Sequence, residues 1–479
     1  MKTAQQPASP SRATLFSYAL GAVPFGIKDG GFSAFLLIFY AQVMGAPTQA
    51  VGLVIMAVLI FEACLDPLVG RLSDNLRSRW GRRHPFMYLS AIPAAVTFCL
   101  LWRPPEHLGE VGLVAYLGLM ALLVRTFITG YEIPSAALAP ELVSGYDART
   151  RLLSYRYLMG WLGGLALYIA AMKVFLRPDA GHPVGQLNPA GYADYGVAAA
   201  LVMLATMLAS AIGTQRRVLI SRAPPATGPQ LRLGPEILAV LRHRTFASVL
   251  AATLFCAAAA GLSRAASLYF SLYFWEFTAD QIALFAVAGV GSAFIAVALA
   301  QVVARRVEKP VAARALLVVG AAVASGAVVL RLLGVLPDNG SPWLFPLVLT
   351  QDVVAGACTI TATILCSSMV ADVVEDWELK TGRRSEGLFF AAVAFVNKAV
   401  SGIGISAAAL LLALAQFPQQ ARPGEVPADA LLRLGMTYAP AIFLLYAAAA
   451  YALRGYGITR RMHEQTLRRL AELREEKGE

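Results

Sequence analysis

Two carboxylates, Glu62 and Asp66, stand four residues apart in a run that is otherwise apolar from Ala50 to Gly70. That spacing places them on one face of a helix. Two ionised carboxylates side by side in a low dielectric repel, and a cation between them or a proton on one relieves the cost. Such a site changes charge between its empty and occupied states, which is what ion coupling requires. Pro67 follows directly. Proline removes a backbone donor and frees a carbonyl, and a carbonyl beside carboxylates can ligate a hard cation such as sodium. Glu62 and Asp66 are therefore the candidate cation ligands.

Other ionisable residues interrupt apolar runs: Lys28 and Asp29, Arg125 and Glu132, Arg264, Asp352 and Lys398. Charges at such positions are costly and mark function by default. Asp29 and Glu132 are acceptor-rich groups suited to a hydroxyl-bearing ligand. Lys28, Arg156 and Lys398 can donate to that ligand or hold the acids in place. The plainer alternative, paired charges that hold helices together, stays open for Arg125, Asp352 and Arg264.

Little else offers chemistry. The five cysteines, Cys64, Cys99, Cys256, Cys358 and Cys366, lie in apolar runs and show no metal-ligand spacing; they read as small buried hydrophobes. The histidines His84, His107, His182, His243 and His463 fall in loops or near the ends of apolar runs. No catalytic constellation is expected, so the chain is read as neither an enzyme nor a cofactor protein. No phosphate-cradling G-x-x-x-x-G-K-[ST] occurs. Active transport would then draw on an ion gradient, of sodium or of protons.

The elements that must hold these residues follow from composition. Of 479 residues, 58% are hydrophobic and 14% charged, and the mean hydropathy is +0.62. Soluble chains carry about a quarter charged residues. A helix needs about 20 apolar residues to cross the hydrocarbon. Twelve windows qualify, at about 15–42, 50–71, 86–103, 111–138, 157–176 and 193–213, then 246–275, 280–303, 311–334, 343–371, 386–416 and 433–455. The net charge of +11 sits in short loops without a nucleic-acid motif, so it is read as membrane orientation. Arg71, Arg79, Arg82 and Arg83 follow span 2, Arg149 and Arg151 follow span 4, and Arg305, Arg306 and Lys309 follow span 8. Both termini are expected in the cytoplasm. The N-terminus shows no signal-peptide pattern. Tyr269, Phe270, Tyr273 and Phe274 read as a membrane-interface belt.

The expected organisation is an all-α membrane protein of twelve transmembrane helices in two six-helix bundles. A cytoplasmic N-terminus covers 1–14, the first bundle 15–213, a proline-bearing linker 214–245, the second bundle 246–455 and a cytoplasmic tail 456–479. The halves echo weakly: Ala139-Pro140-Glu141 ends span 4 and Ala371-Asp372 ends span 10. Internal repeats of this kind are typical of secondary transporters.

Asp66-Pro67-Leu68-Val69-Gly70, then Asp74, Arg77-Ser78-Arg79-Trp80-Gly81-Arg82 and Pro85-Phe86, resemble the signature of the glycoside–pentoside–hexuronide:cation symporters of the major facilitator superfamily. Gly26-Ile27-Lys28-Asp29, Glu132-Ile133-Pro134, Met369-Val370-Ala371-Asp372 and Glu386-Gly387-Leu388-Phe389-Phe390 extend the resemblance over nearly the whole chain. It implies the major facilitator fold and a cation site at Glu62, Asp66 and Thr129. It also implies sugar contacts at Asp29, Glu132 and Arg156, with Lys28 and Lys398 beside them. The family's cation-site asparagine falls at Leu65 and its sugar-stacking tryptophan at Ala136, departures that leave the ion and the sugar open. Asp74, Arg77, Arg79, Arg82 and Arg83 form an expected cytoplasmic gate, with pure topology signalling as the alternative.

The expected function is cation-coupled import of a sugar or glycoside by alternating access, by a monomer in the bacterial inner membrane. The family also resembles animal lysophosphatidylcholine symporters, so a lysolipid or similar amphiphile is the second reading.

Overall fold

The computed structural model describes residues 11–76, 78–143, 146–179, 181–221, 243–381 and 386–477. In hydrocarbon every backbone polar group must be satisfied within its own segment, and the apolar runs accordingly become helices. The first run divides into α1 (Arg12–Leu20) and α2 (Val23–Ala34), and it bends by 48° before a last stretch, Leu36–Val43. The first half continues with α3 (Thr48–Asn75), α4 (His84–Leu101), α5 (Glu110–Ala136), α6 (Tyr146–Ala170) and α7 (Pro189–Ser221). The second half comprises α8 (Arg244–Tyr269), α9 (Ala279–Arg306), α10 (Lys309–Leu332), α11 (Leu344–Thr381), α12 (Glu386–Leu414) and α13 (Ala428–Ala452). A polar helix, α14 (Arg460–Lys477), follows.

Among the described residues, 11 helices are long and apolar enough to cross a membrane, and the bent pair makes up to 12. The expected spans lie within a few residues of these helices, apart from longer ends on α3, α6, α7 and α11. The expected linker begins at 214, where α7 is still helical to Ser221; its residues 222–242 lie outside the described residues. Tyr269, Phe270, Tyr273 and Phe274 are buried rather than in an interfacial belt. Their rings pack with Phe417 and Tyr438 inside the second half, an arrangement that removes large aromatic area from its surroundings.

The described residues form two compact units. Residues up to 221, with Thr278–Ala283 and Pro418–Pro423, make the first; the remainder makes the second. Each unit has the same internal neighbours. In the first, α2 packs on α6, α1 on α7, and α4 on both α5 and α7. In the second, α8 packs on α12 and α13, and α10 on both α11 and α13. Glycines permit the closest approach in each. A methyl on Gly26 would lie 1.8 Å from the Gly160 carbonyl oxygen, and one on Gly261 would lie 2.3 Å from that of Ser401. Small residues at helix crossings let backbones meet where lipid supplies no hydrophobic drive.

Candidate functional site

In the first unit α3 and α5 run parallel and in register. Glu62 faces Arg125, Asp66 faces Thr129 and Gly70 lies against Ile133. Each rung is one helical turn from the next, so residues four apart on one helix meet residues four apart on the other.

The Glu62 rung is deeply buried. Glu62 is 0% exposed, Lys28 1% and Arg125 3%. Lys28 Nζ donates to Glu62 Oε1 at 3.1 Å, and the Arg125 guanidinium donates to the other oxygen, Oε2. Arg125 also lies over the Phe32 ring at 4.4 Å, and Lys28 over Phe25 at 4.7 Å. Removing such charges from water is expensive, and only close pairing with good geometry offsets it. Both oxygens of Glu62 are thus engaged by the protein's own cations. The repulsion expected between Glu62 and Asp66 is met from within the chain, by a lysine from α2 and an arginine from α5.

The Asp66 rung is different. Asp66 is half-buried, and the hydroxyl of buried Thr129 donates to its Oδ1 at 3.2 Å. Lys28, Arg125, Glu62 and an ionised Asp66 together carry no net charge.

The expected substrate residues are spread over several helices. Asp29 on α2 and Glu132 on α5 are half-buried. Lys28 belongs to the Glu62 pair. Arg156 on α6 is buried, donating to Ser135 Oγ at 3.0 Å and lying over the Tyr18 ring at 5.1 Å. Arg156 and Glu132 are both within electrostatic reach of Tyr131. Lys398 is half-buried on α12 of the second unit.

At the α3–α4 loop the expected gate residues form a pair network inside the first unit. Arg83 reaches Asp74 and Glu141 at 3.1 Å each, and Arg82 reaches Glu141 at 2.8 Å. The turn between them needs Gly81, whose φ of +90° lies in the left-handed region. Arg79 lies over Trp80, and Arg77 falls outside the described residues. The second unit repeats the device. Lys309 at the start of α10 donates to both oxygens of Asp372 at 2.7 Å. Tyr456 adds a donor to Asp372 at 3.1 Å. Burial, then the Asp372 charge, holds the Tyr456 phenol above its ordinary range, which keeps it a neutral donor. His463 of α14 meets Glu375 and Asp372, and the Arg460 guanidinium bonds the Ala304 and Arg305 carbonyls that end α9.

Sequence reasoning left Arg125 open between a functional charge and a paired one without naming Glu62 as its partner, and noticed Glu141 only as a repeat marker. For Arg125 the available signal was its spacing of four from Thr129, which matches the spacing of Glu62 and Asp66.

Two repeated units of apolar, span-length helices, the first with an ion-paired carboxylate buried within its spans, are the features of a membrane transporter of the major facilitator type. The chain belongs to the MFS/sugar transport protein family, whose model matches residues 17–460. It is 27% identical to an uncharacterized symporter of Synechocystis, over 93% of this chain and 94% of the relative. It is 22% identical to the putative glycoside/cation symporter YagG of Escherichia coli, covering 96% and 95%. The sodium-dependent lysophosphatidylcholine symporter 1 of Mus musculus is 24% identical, covering 96% and 88%. Among solved structures, the nucleoside transporter NupG superposes with a TM-score of 0.63 at 12% identity, covering 92% of this chain and 100% of that one, a likeness of fold.

Proposed function

We propose that this chain is a proton-coupled symporter of a sugar or glycoside, working by alternating access in a bacterial inner membrane with both termini in the cytoplasm. The observation that carries the coupling is the occupation of both Glu62 oxygens by Lys28 and Arg125. A sodium ion takes about six oxygen ligands, by analogy with other hard cations, and Glu62 with Lys28 and Arg125 already carries one positive charge in excess, which repels a further cation. Asp66 and Thr129 are suited to a proton instead. The threonine hydroxyl donates to an ionised carboxylate and accepts from a protonated one, so the contact survives either state. Protonating Asp66 changes the charge of the buried set by one unit and leaves the ion pairs of Glu62 intact.

The family and the glycoside/cation symporter relative support a glycoside substrate. Asp29, Glu132 and Arg156 are its proposed contacts in the first unit. The gate residues Asp74, Arg79, Arg82 and Arg83 are proposed to clamp the α3–α4 loop to Glu141 in one state of the cycle and release it in the other. The lysophosphatidylcholine symporter relative favours a second reading, an amphiphile substrate.

Uptake into proteoliposomes separates these. The tracers are methyl glycosides of glucose, galactose, xylose and glucuronic acid, together with lysophosphatidylcholine. Each is offered under an imposed proton gradient or an imposed sodium gradient. Glycoside accumulation driven by protons alone is the expected result. Accumulation that needs sodium contradicts the coupling assignment, and lysophosphatidylcholine as the sole tracer transported contradicts the substrate.

A further inference from the structure

The second unit carries a polar face that neither the coupling site nor the gate uses. On α11 the residues Asp352, Gly356, Thr359, Thr363 and Ser367 follow one another at helical spacing and share one side. Asp352, Thr363 and Ser367 are exposed, while Gly356 packs on Ser292 of α9 and Thr359 against Gly320 of α10. A different side presents Trp343, Leu347, Thr350 and Val354, the composition of a lipid-facing strip. A carboxylate turned toward hydrocarbon would cost several kcal/mol, whereas α11 segregates Asp352 with hydroxyls.

Tyr438 links Asp352 to the neighbouring helices. Asp352 lies within electrostatic reach of Tyr438 on α13. The Tyr438 hydroxyl is 3.3 Å from Ser263 Oγ on α8, and its ring packs on Phe270 with centroids 4.4 Å apart. One residue after Ser263, Arg264 is exposed on α8. Arg264 and Thr359 both lie near Tyr446. A carboxylate acceptor, a tyrosine–serine hydroxyl pair and a guanidinium donor thus stand in the spans of one unit, on helices that pack together.

We propose that Asp352, with Tyr438 and Ser263, forms a second polyol-binding subsite, contributed by the second unit, in which Asp352 accepts hydrogen bonds from substrate hydroxyls. A carboxylate has two oxygens and accepts from two donors at once, which suits neighbouring hydroxyls on a sugar ring. The tyrosine and serine hydroxyls each donate and accept, so they tolerate either orientation of a third hydroxyl. The subsite rests on the glycoside reading above and lies wholly within the second unit.

The test measures binding to the purified full-length protein by calorimetry. The probe is the tightest binder among methyl glucoside, galactoside, xyloside and glucuronide, followed by its monodeoxy analogues. A hydrogen bond to a charged group contributes about 1.5–3 kcal/mol, so Asp352→Asn and Asp352→Ala should weaken binding by about 10-fold to 100-fold. Ser263→Ala should weaken it less. For one monodeoxy analogue the wild type should show the same loss, and Asp352→Asn should show no further loss on that analogue. A role limited to structure would weaken all analogues equally and contradict the inference. Wild-type affinity in both Asp352 variants would overturn the subsite while leaving the glycoside reading standing. Failure of the wild type to bind any glycoside would overturn both.

Discussion

The α3–α5 seam of the first unit and the α9–α11 seam of the second occupy equivalent places in the repeat, yet they are closed by different chemistry. The first is laddered by Glu62 with Arg125 and Asp66 with Thr129. In the second, Gly356 packs on Ser292, and Thr361 donates to the Ala296 carbonyl at 3.3 Å. Small neutral residues are therefore enough to join two such helices. The charges of the first seam cannot be explained as a requirement of the fold, because the same fold dispenses with them one repeat later. They cost desolvation and are retained one helical turn from Asp66, which accepts from the Thr129 hydroxyl. The outer ends of the units show the opposite relation. There the two halves use the same device, a base at the start of a helix paired with an acid from a neighbouring segment: Arg83 with Glu141 just after α5, and Lys309 with Asp372 in the last turns of α11.

The largest effect should come from breaking the charged seam on one side only. Glu62→Gln leaves Lys28 and Arg125 buried without their counter-charge, and removal of one partner from a buried ion pair costs about 3–5 kcal/mol. The variant should lose much of its folded yield and melt far below the wild type in a detergent thermal-shift assay. The triple variant Glu62→Leu, Lys28→Met, Arg125→Leu should melt closer to the wild type, since the second unit closes its seam without charge. A Glu62→Gln protein that melts with the wild type would show that the pairing carries no structural load.

Next comes the feature the units share. Gly26→Val and Gly261→Val each drive a side chain into a facing backbone, and overpacking costs about 1–3 kcal/mol. The two variants should lower the melting temperature by similar amounts. A loss confined to one of them would break the equivalence of the two crossings.

Smaller still are the outer pairs. Lys309→Ala takes the 2.7 Å donor from both Asp372 oxygens and leaves it Tyr456 at 3.1 Å and His463 at 3.6 Å, while Arg83→Ala leaves Glu141 its closer, 2.8 Å contact with the Arg82 guanidinium. Leaving a largely buried acceptor short of a partner costs about 1–3 kcal/mol. Lys309→Ala should therefore destabilise more than Arg83→Ala, with Lys309→Arg restoring most of the loss. Equal melting temperatures for the two alanine variants would contradict the geometry of the second pair.

Much of this was legible in the sequence. The helices were, because about 20 consecutive apolar residues admit few other structures in a membrane. The Asp66–Thr129 contact followed from the family resemblance. What escaped was the partner of Glu62. A spacing of four places two acids on one face but does not say what lies opposite, and Arg125 and Lys28 come from helices distant in the chain. The internal repeat was faint for a related reason. It is preserved in glycine contacts and helix neighbours, while its side chains diverge from Glu62 and Arg125 to Ser292 and Gly356. The aromatic cluster at 269–274 was misread because composition alone does not separate a buried ring from an interfacial one.

The account depends on Asp66 being the group whose charge changes during transport. The direct measurement is proton-driven accumulation of a methyl glycoside by the Asp66→Asn variant in proteoliposomes, with exchange of labelled for unlabelled glycoside followed in the same vesicles. The account predicts that accumulation is abolished while exchange continues, since the asparagine keeps the contact with Thr129 but carries no titratable proton. Accumulation by Asp66→Asn at the wild-type level under the same gradient would contradict it.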